Sequence, residues 1–322
     1  MKAVFLDSLS LGDDVDLTPL TGDGNDWTLY PSAGKDEVAE RIAGADIVVA
    51  NKAPLDRDVL AAADALKLIC VPATGVNNVD LQAADEAGIA VCNCTAYGTA
   101  AVSQHVFALM LSLATKLPQY SAAVARGDWA RSKAFCLMDY PIMELQGKTL
   151  GIVGYGELGR AVAGLAKAFG MQVLISERPG ADSVREGRLL LQDMLPRCDV
   201  LSLHLPLNEH SRNLIGAAEL QLLPDHALLI NCARGGIVDE TALAAALRDG
   251  VIGGAGVDVL SEEPPRNGNP LLSDDIPNLI VTPHSAWASR EARQRIVQIV
   301  AGHISHFCKG GTPDAINLKG SA

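Results

Sequence analysis

The chain has 322 residues, 48 % hydrophobic and 20 % charged, enough for one or two substantial cores and, at ordinary domain sizes, about two domains. A formal net charge of -12 argues against a partner built of phosphates, whether nucleic acid or an anionic membrane surface. No apolar stretch reaches the roughly 18 to 20 residues that span a bilayer. Met1-Lys2-Ala3-Val4-Phe5-Leu6-Asp7 reads as a first strand and not as a signal peptide, so the cytoplasm is the expected compartment. The seven cysteines are scattered, with only Cys92 and Cys94 close together, and read as reduced, mostly buried small apolar residues; no metal site is expected.

Strand-like runs at 3–7, 46–50, 68–71 and 89–93 alternate with helix-like stretches at 36–43, 56–63 and 79–86, which favours a parallel sheet with helices on both faces. A long apolar helix is expected from about Ala100 to Leu117, stopped by Pro118. From Gln119 to Gln146 the periodicity weakens, interrupted by Gly127, Trp129, Phe135 and Tyr140-Pro141. Exposed aromatics in an irregular arm call for a partner surface, although a loop packed on its own domain fits equally well.

From Lys148 the alternation resumes, with strands expected near Thr149, Gln172, Asp199, Ala227, Gly254 and Leu279, the complement of one dinucleotide-binding sheet. Gly154-Tyr155-Gly156-Glu157-Leu158-Gly159 joins the apolar run 149–153 to a helical pattern. In such a turn the first glycine bends the chain, the second lets backbone approach a pyrophosphate, and the third packs helix on strand. The helix N-terminus then points free N–H groups at the anion. Glu177 ends the next strand, about 20 residues on, where an acidic side chain can hold a ribose 2′-hydroxyl. A last amphipathic helix spans about 289–307 and is free to return to the first domain.

The expected fold is therefore α/β with two Rossmann-like domains. A doubly wound, parallel-sheet dinucleotide-binding domain, 99–286, is inserted in a flavodoxin-like substrate domain, 1–98 with 287–322. Hinges are expected near Tyr97-Gly98 and Ala286-Trp287, with substrate meeting cofactor in the cleft between domains.

Ligands of open α/β sheets lie beyond the carboxyl ends of the strands. Three ionisable residues follow strands there: Arg234 before Gly235-Gly236, Glu263 in Ser261-Glu262-Glu263-Pro264-Pro265, and His284 after Pro283. Singly they read as a solvated turn, a stiffened loop and a strand cap. Together they supply a proton donor, a group that holds it protonated and a cation for an anionic substrate, which is what hydride transfer to a carbonyl requires.

Five blocks in order carry a resemblance over essentially the whole chain: Ala73-Thr74-Gly75-Val76-Asn77-Asn78-Val79-Asp80, Gly151-Ile152-Val153-Gly154-Tyr155-Gly156-Glu157-Leu158-Gly159, Asn231-Cys232-Ala233-Arg234-Gly235-Gly236, Gly256-Val257-Asp258-Val259 with Glu262-Glu263-Pro264, and Thr282-Pro283-His284-Ser285-Ala286-Trp287-Ala288-Ser289. The chain resembles the D-isomer-specific 2-hydroxyacid dehydrogenases, most closely the glycerate dehydrogenase and hydroxypyruvate reductase branch. The resemblance implies reduction of hydroxypyruvate or glyoxylate with NADH to D-glycerate or glycolate, and a homodimer. It casts His284 as general acid in reduction, with Glu263 fixing its tautomer and favouring its protonated form. It gives Arg234 the substrate carboxylate or carbonyl oxygen, and Thr74-Gly75-Val76 the carboxylate through backbone N–H groups. An ordinary turn into an Asp80-capped helix also explains that block.

For the cofactor, the resemblance places Asp258 near the nicotinamide carboxamide, Glu177 on the adenosine ribose, and the N–H groups of Glu157 and Leu158 at the pyrophosphate beside Gly154, Gly156 and Gly159. Glu177 favours NAD(H), while the neighbouring Arg178 leaves NADP(H) open. Cys232 stands in the cofactor-binding block, where threonine or valine is expected; Arg234 beside it can lower its thiol pKa, although a packing role fits as well. Ser285 replaces an apolar residue, and Trp287 lines either the substrate pocket or a domain contact. His105 and His204 read as structural. Rival readings are a sister specificity, D-lactate or phosphoglycerate type, and a non-enzymatic NAD(H)-sensing protein. The absence of a basic cluster near Thr74-Gly75 speaks against the phosphorylated substrate, and the set Arg234, Glu263, His284 against the sensor.

Overall fold

A computed structural model describes residues 1–311 and 314–317. Residues 312–313 and 318–322 of the tail assigned above to the substrate domain lie outside the described residues. Two compact units emerge, one formed by 1–98 with 288–322 and the other by 99–287.

The first unit holds a five-stranded parallel sheet of β1 (Lys2–Phe5), β2 (Asp26–Leu29), β3 (Ile47–Val49), β4 (Leu68–Val71) and β5 (Ala90–Asn93), in the order β2-β1-β3-β4-β5. That is the flavodoxin-like order. Because side chains alternate along a strand, Val4, Val48, Ile69, Val71 and Val91 share one face and join one core with Val38, Ile42, Val59 and Leu60 from the crossover helices. Asp7 follows β1, and its carboxylate accepts the backbone N–H groups of Asn51, Lys52 and Ala53, closing the turn after β3. The helix Arg290–Cys308 belongs to this unit; Arg293 bonds the carbonyl of Leu11, and Arg295 that of Tyr97.

The second unit carries β6 (Thr149–Val153), β7 (Gln172–Ile175), β8 (Val200–Leu203), β9 (Leu228–Asn231), β10 (Gly254–Val257) and β11 (Leu279–Val281) in the order β11-β10-β9-β8-β6-β7, every pair parallel. Leu150, Ile152, Val200, Leu228 and Ile230 point to one face, beneath the helices Thr99–Ala114 and Glu157–Ala168. Val153, Leu201, Leu203 and Leu229 point to the other, covered by Leu220, Leu243 and Leu247. Helices on both faces make the sheet doubly wound, and strand order reverses at β6, which opens a crevice between the carboxyl ends of β6 and β8.

Three expectations need correction. The strand β2 is absent from the sequence reading; it lies at the sheet edge with its residues largely exposed, so the alternation that marks a half-buried strand is weak. The apolar helix ends at Ala114, before Pro118. Lys116 turns the chain at φ 54, with Nζ donating to Asn278 Oδ1 at 3.1 Å, and a new helix runs over Leu117–Ala125. Pro118 sits in the first turn of that new helix, where its missing N–H has no intrahelical partner to lose. The segment 119–146 is thus helical in its first part and irregular only beyond Arg131.

Candidate active site

Strands β9, β10 and β11 lie side by side, so the segments leaving their carboxyl ends emerge along one edge. Arg234, Glu263 and His284 follow these three strands in turn. Nδ1 of His284 lies 2.6 Å from Oε2 of Glu263, and Oε1 of Glu263 accepts the Leu260 N–H at 2.9 Å. A carboxylate accepts, so Nδ1 carries the hydrogen and Nε2 is left as the nitrogen that can exchange a proton with a ligand. Among the described residues no group bonds that nitrogen. The two side chains are 34 % and 35 % exposed, open enough for a small ligand to reach.

Arg234 is exposed, and Nη1 donates to the Ala233 carbonyl at 2.6 Å. The buried Asn231 shapes this turn: Oδ1 accepts the Ala233 N–H at 3.1 Å, and Nδ2 donates to the Arg234 carbonyl at 3.0 Å. Among the described residues no carboxylate pairs with Arg234, so its planar fork is available to an anion. Gly235 brings this turn against the carbonyl of Leu260, the residue that also bonds Glu263. A Cβ at Gly235 would overlap that carbonyl.

His284 adopts φ 52, a left-handed conformation that costs a non-glycine residue roughly 1–2 kcal/mol. Asp258 holds it there. The Asp258 carboxylate is 1 % exposed and must find donors. Oδ1 accepts Thr282 Oγ1–H at 2.5 Å and the Ser285 N–H at 2.9 Å, while Oδ2 accepts the Ala286 N–H at 2.9 Å. The Asp258 carbonyl accepts the His284 N–H at 2.8 Å. The expectation for Asp258 named a cofactor contact; what the structure displays is a buried carboxylate binding the turn that carries His284. Asn231 and Thr282 stand inside the motif blocks but have no part among the expected site residues, because the partners of Asn231 are backbone groups and those of Thr282 come from other segments of the chain.

The glycine motif divides its work physically. Gly154 has φ 93, and a Cβ there would strike the His204 carbonyl beyond β8, across the crevice. A Cβ at Gly159 would strike the Gly154 carbonyl, so this glycine lets the helix Glu157–Ala168 sit on the turn. Gly156 differs: a Cβ there would meet nothing within 4 Å. Its bareness serves no packing contact, which fits a position where a ligand's backbone-hugging pyrophosphate must come close. The first-turn N–H groups of that helix, those of Glu157 and Leu158 among them, have no intrahelical acceptor and are donors that an anion can take. The Glu157 side chain is turned aside, accepting Thr99 Oγ1–H at 2.7 Å, and Leu158 packs into the core.

Glu177 follows β7 and is buried, lining a cavity of about 210 Å³ with Arg178, Gly180, Leu191 and Leu214. Arg185, not Arg178, is its cation. Arg185 grips both carboxylate oxygens through Nε at 3.0 and 2.9 Å and reaches Oε1 through Nη2 as well. Arg178 contributes only its backbone N–H, at 2.7 Å, and its side chain is exposed. The Arg185 hydrogen bonds, then that of Arg178, hold the Glu177 carboxyl well below the usual carboxylate range. At Cys232 burial, then the charge of Asp258, push the thiol far up, which agrees with a packing role and not with activation by Arg234.

In the first unit, the Thr74-Gly75-Val76 turn follows β4. Thr74 Oγ1 donates to the Cys94 carbonyl at 3.0 Å, and Asn93 Nδ2 donates to the Thr74 carbonyl at 2.8 Å. Among the described residues nothing accepts the N–H groups of Thr74, Gly75 or Val76, which leaves three donors for an anion. Asp80 caps the next helix through the Ala83 N–H at 2.9 Å.

Residues 107–286 match the family model for the D-isomer specific 2-hydroxyacid dehydrogenase, NAD binding domain. The chain is 44 % identical to a glycerate dehydrogenase of Methylorubrum extorquens over 96 % of each chain. It is 35 % identical to a hydroxypyruvate reductase of Blautia hydrogenotrophica, over 98 % of this chain and 100 % of that one. A crystal structure of a Thermus thermophilus protein superposes with a TM-score of 0.86 at 32 % identity, covering 98 % and 99 % of the two chains. The chain belongs to the D-isomer-specific 2-hydroxyacid dehydrogenase family, NAD-dependent enzymes that interconvert 2-ketoacids and D-2-hydroxyacids.

Proposed function

We propose that this chain reduces hydroxypyruvate or glyoxylate with NADH, giving D-glycerate or glycolate. The observation that carries the reading is the 2.6 Å pair of His284 Nδ1 and Glu263 Oε2, set beside an arginine turn that meets no competing carboxylate among the described residues. The names of the two relatives, glycerate dehydrogenase and hydroxypyruvate reductase, favour the hydroxypyruvate type among 2-ketoacids.

NADH, when bound, would supply a hydride to C2 of the ketoacid. The carbonyl oxygen takes its proton from Nε2 of the His284 imidazolium, and the neutral ring keeps its Nδ1 hydrogen toward Glu263. Arg234 steadies the anionic substrate and polarises the carbonyl, while the free N–H groups of Thr74, Gly75 and Val76 bind the carboxylate. The first unit is then the substrate domain, with boundaries after residue 98 and at 287. Glu157 and Leu158 offer N–H groups to the pyrophosphate beside Gly154, Gly156 and Gly159. Asp258 would stand near the nicotinamide carboxamide, with Cys232 also on the cofactor side, and Glu177 would take the adenosine ribose and disfavour a 2′-phosphate.

We place the enzyme in the cytoplasm as a homodimer. The free cysteines suit a reducing compartment, and the 117–142 arm exposes Phe135 at 88 % and Met138 at 83 %, side chains that a second copy would cover. Among the described residues no single helix is long and apolar enough to cross a membrane.

Initial rates of NADH and NADPH oxidation with hydroxypyruvate, glyoxylate, pyruvate and phosphohydroxypyruvate test the reading. Hydroxypyruvate with NADH is expected to be fastest; a clear preference for pyruvate or the phosphorylated acid would move the specificity to a sister type. His284→Gln is expected to lower kcat by roughly 100-fold or more while still binding NADH.

A further inference from the structure

His105 lies on the helix Thr99–Ala114, outside all five motif blocks, and its Nε2 is 3.0 Å from Thr282 Oγ1. The same nitrogen is 3.6 Å from Asp258 Oδ1. Thr282 has one hydroxyl hydrogen, and it goes to Asp258 Oδ1 at 2.5 Å, because both oxygens of that carboxylate already accept backbone N–H groups and act as acceptors. The Thr282 oxygen therefore accepts from His105, and Nε2 must carry a hydrogen. A directed chain results: His105 Nε2–H to Thr282 Oγ1, Thr282 Oγ1–H to Asp258 Oδ1. Asp258 in turn holds Ser285, Ala286 and the backbone of His284.

We infer that His105 is a positioning residue for the reaction: with Thr282 it orients the Asp258 carboxylate, and through it the left-handed turn that presents His284. The inference rests on the reading of His284 as the proton donor. Physically it needs a rigid origin for the chain, and the helix provides one. Val106, Leu109, Met110 and Leu113 are buried in the same core as Leu228 and Ile230 of β9, so the imidazole is fixed relative to the sheet from which Asp258 and Thr282 leave. Without the His105 N–H, the Thr282 hydroxyl loses the partner that fixes its rotation, and the bond to Oδ1 becomes one option among several. A buried carboxylate short of a fixed donor re-pairs, and the segment 282–286 moves with it.

The test compares His105→Ala, His105→Gln, Thr282→Val and the double variant His105→Ala/Thr282→Val, with His284→Gln as control. Each is followed by steady-state kinetics and by NADH titration through quenching of protein fluorescence. His105→Ala is expected to lower kcat by about 10- to 100-fold, with NADH affinity changed less than about threefold, because a misplacement near 1 Å costs on that order. His105→Gln, whose amide N–H can reach Thr282, is expected to recover kcat to within about fivefold of the parent. The double variant is expected to match Thr282→Val, since both changes cut one chain. Should His105→Ala fail to fold, His105→Asn, which is too short to bridge to Thr282, takes its place. A kcat for His105→Ala within about twofold of the parent, or a double variant carrying the full product of the two losses, overturns the inference while leaving His284 in its role. Retained turnover in His284→Gln instead overturns the reading on which it rests.

Discussion

Gly235 packs its bare Cα against the carbonyl oxygen of Leu260, which locks the turn of Arg234 to the loop of Glu263. The contact is between two stretches of backbone, so neither side can move a flexible side chain out of the way. Gly235→Ala is expected to destabilise the protein by about 1–3 kcal/mol and to displace Glu263 from His284. Denaturant unfolding and kcat measured on one preparation check this; unchanged stability with unchanged kcat would show that the loops are not coupled.

The motif glycines separate in a way that packing alone predicts. Gly156→Ala adds a methyl group to open space, at φ -82, where an L-residue sits without strain. Its Tm is expected to stay within about 2 °C of the parent while NADH binding weakens by roughly tenfold or more, since the methyl group stands where a pyrophosphate must approach. Gly159→Ala is expected to lower Tm, because its Cβ meets the Gly154 carbonyl. Equal NADH affinity in Gly156→Ala and the parent would remove the glycine from the binding site.

Burial alone pushes the His204 imidazole down to about 4; among the described residues Nδ1 has no partner, and Nε2 shares a 2.8 Å bond with Ser202 Oγ. In the unfolded chain the ring protonates near its ordinary value of 6.5. Between those values the unfolded state binds more protons than the folded state, so the stability present above pH 6.5 is lost as pH falls toward 4. The full window corresponds to about 3 kcal/mol. The difference in unfolding free energy between the parent and His204→Leu is expected to change across this window and stay flat above it, as urea titrations at pH 7.5, 6 and 5 would reveal.

The Cys232 thiol, buried and pushed up, is expected to resist modification. A colourless disulfide reagent at pH 8 should label the exposed Cys308 first and the half-buried Cys136 more slowly, with Cys232 reacting only on unfolding. Cys232→Val should keep NADH-linked turnover within about threefold, because a buried side chain of similar size replaces it. Rapid labelling of Cys232 in the native protein, read by peptide mapping, would contradict the burial argument.

Much of the architecture was written in local pattern. Leu68–Val71 is a continuous apolar strand buried on both faces, Val200–Leu203 is one but for Ser202, and Asp80 and Ser289 cap helices through side-chain oxygens close in sequence. Where the pattern was faint, the reading failed. At β2 only one edge pairs and its residues face solvent. At Lys116 the break in the helix involves Asn278, a residue 162 positions away that no window along the chain contains.

Sequence by itself determined two parallel α/β units and a dinucleotide turn, and it singled out Arg234, Glu263 and His284 as the proposed reactive set, because glycine spacing, strand ends and residue chemistry are properties of short segments. Only the tertiary structure decided who holds whom. Glu177 is gripped by Arg185 eight residues on, although Arg178 is its neighbour along the chain. Asp258 serves Thr282, Ser285 and Ala286, and His105 reaches Thr282 from 177 residues away. A buried polar group takes whichever donors folding brings within about 3 Å, and sequence distance does not set that choice.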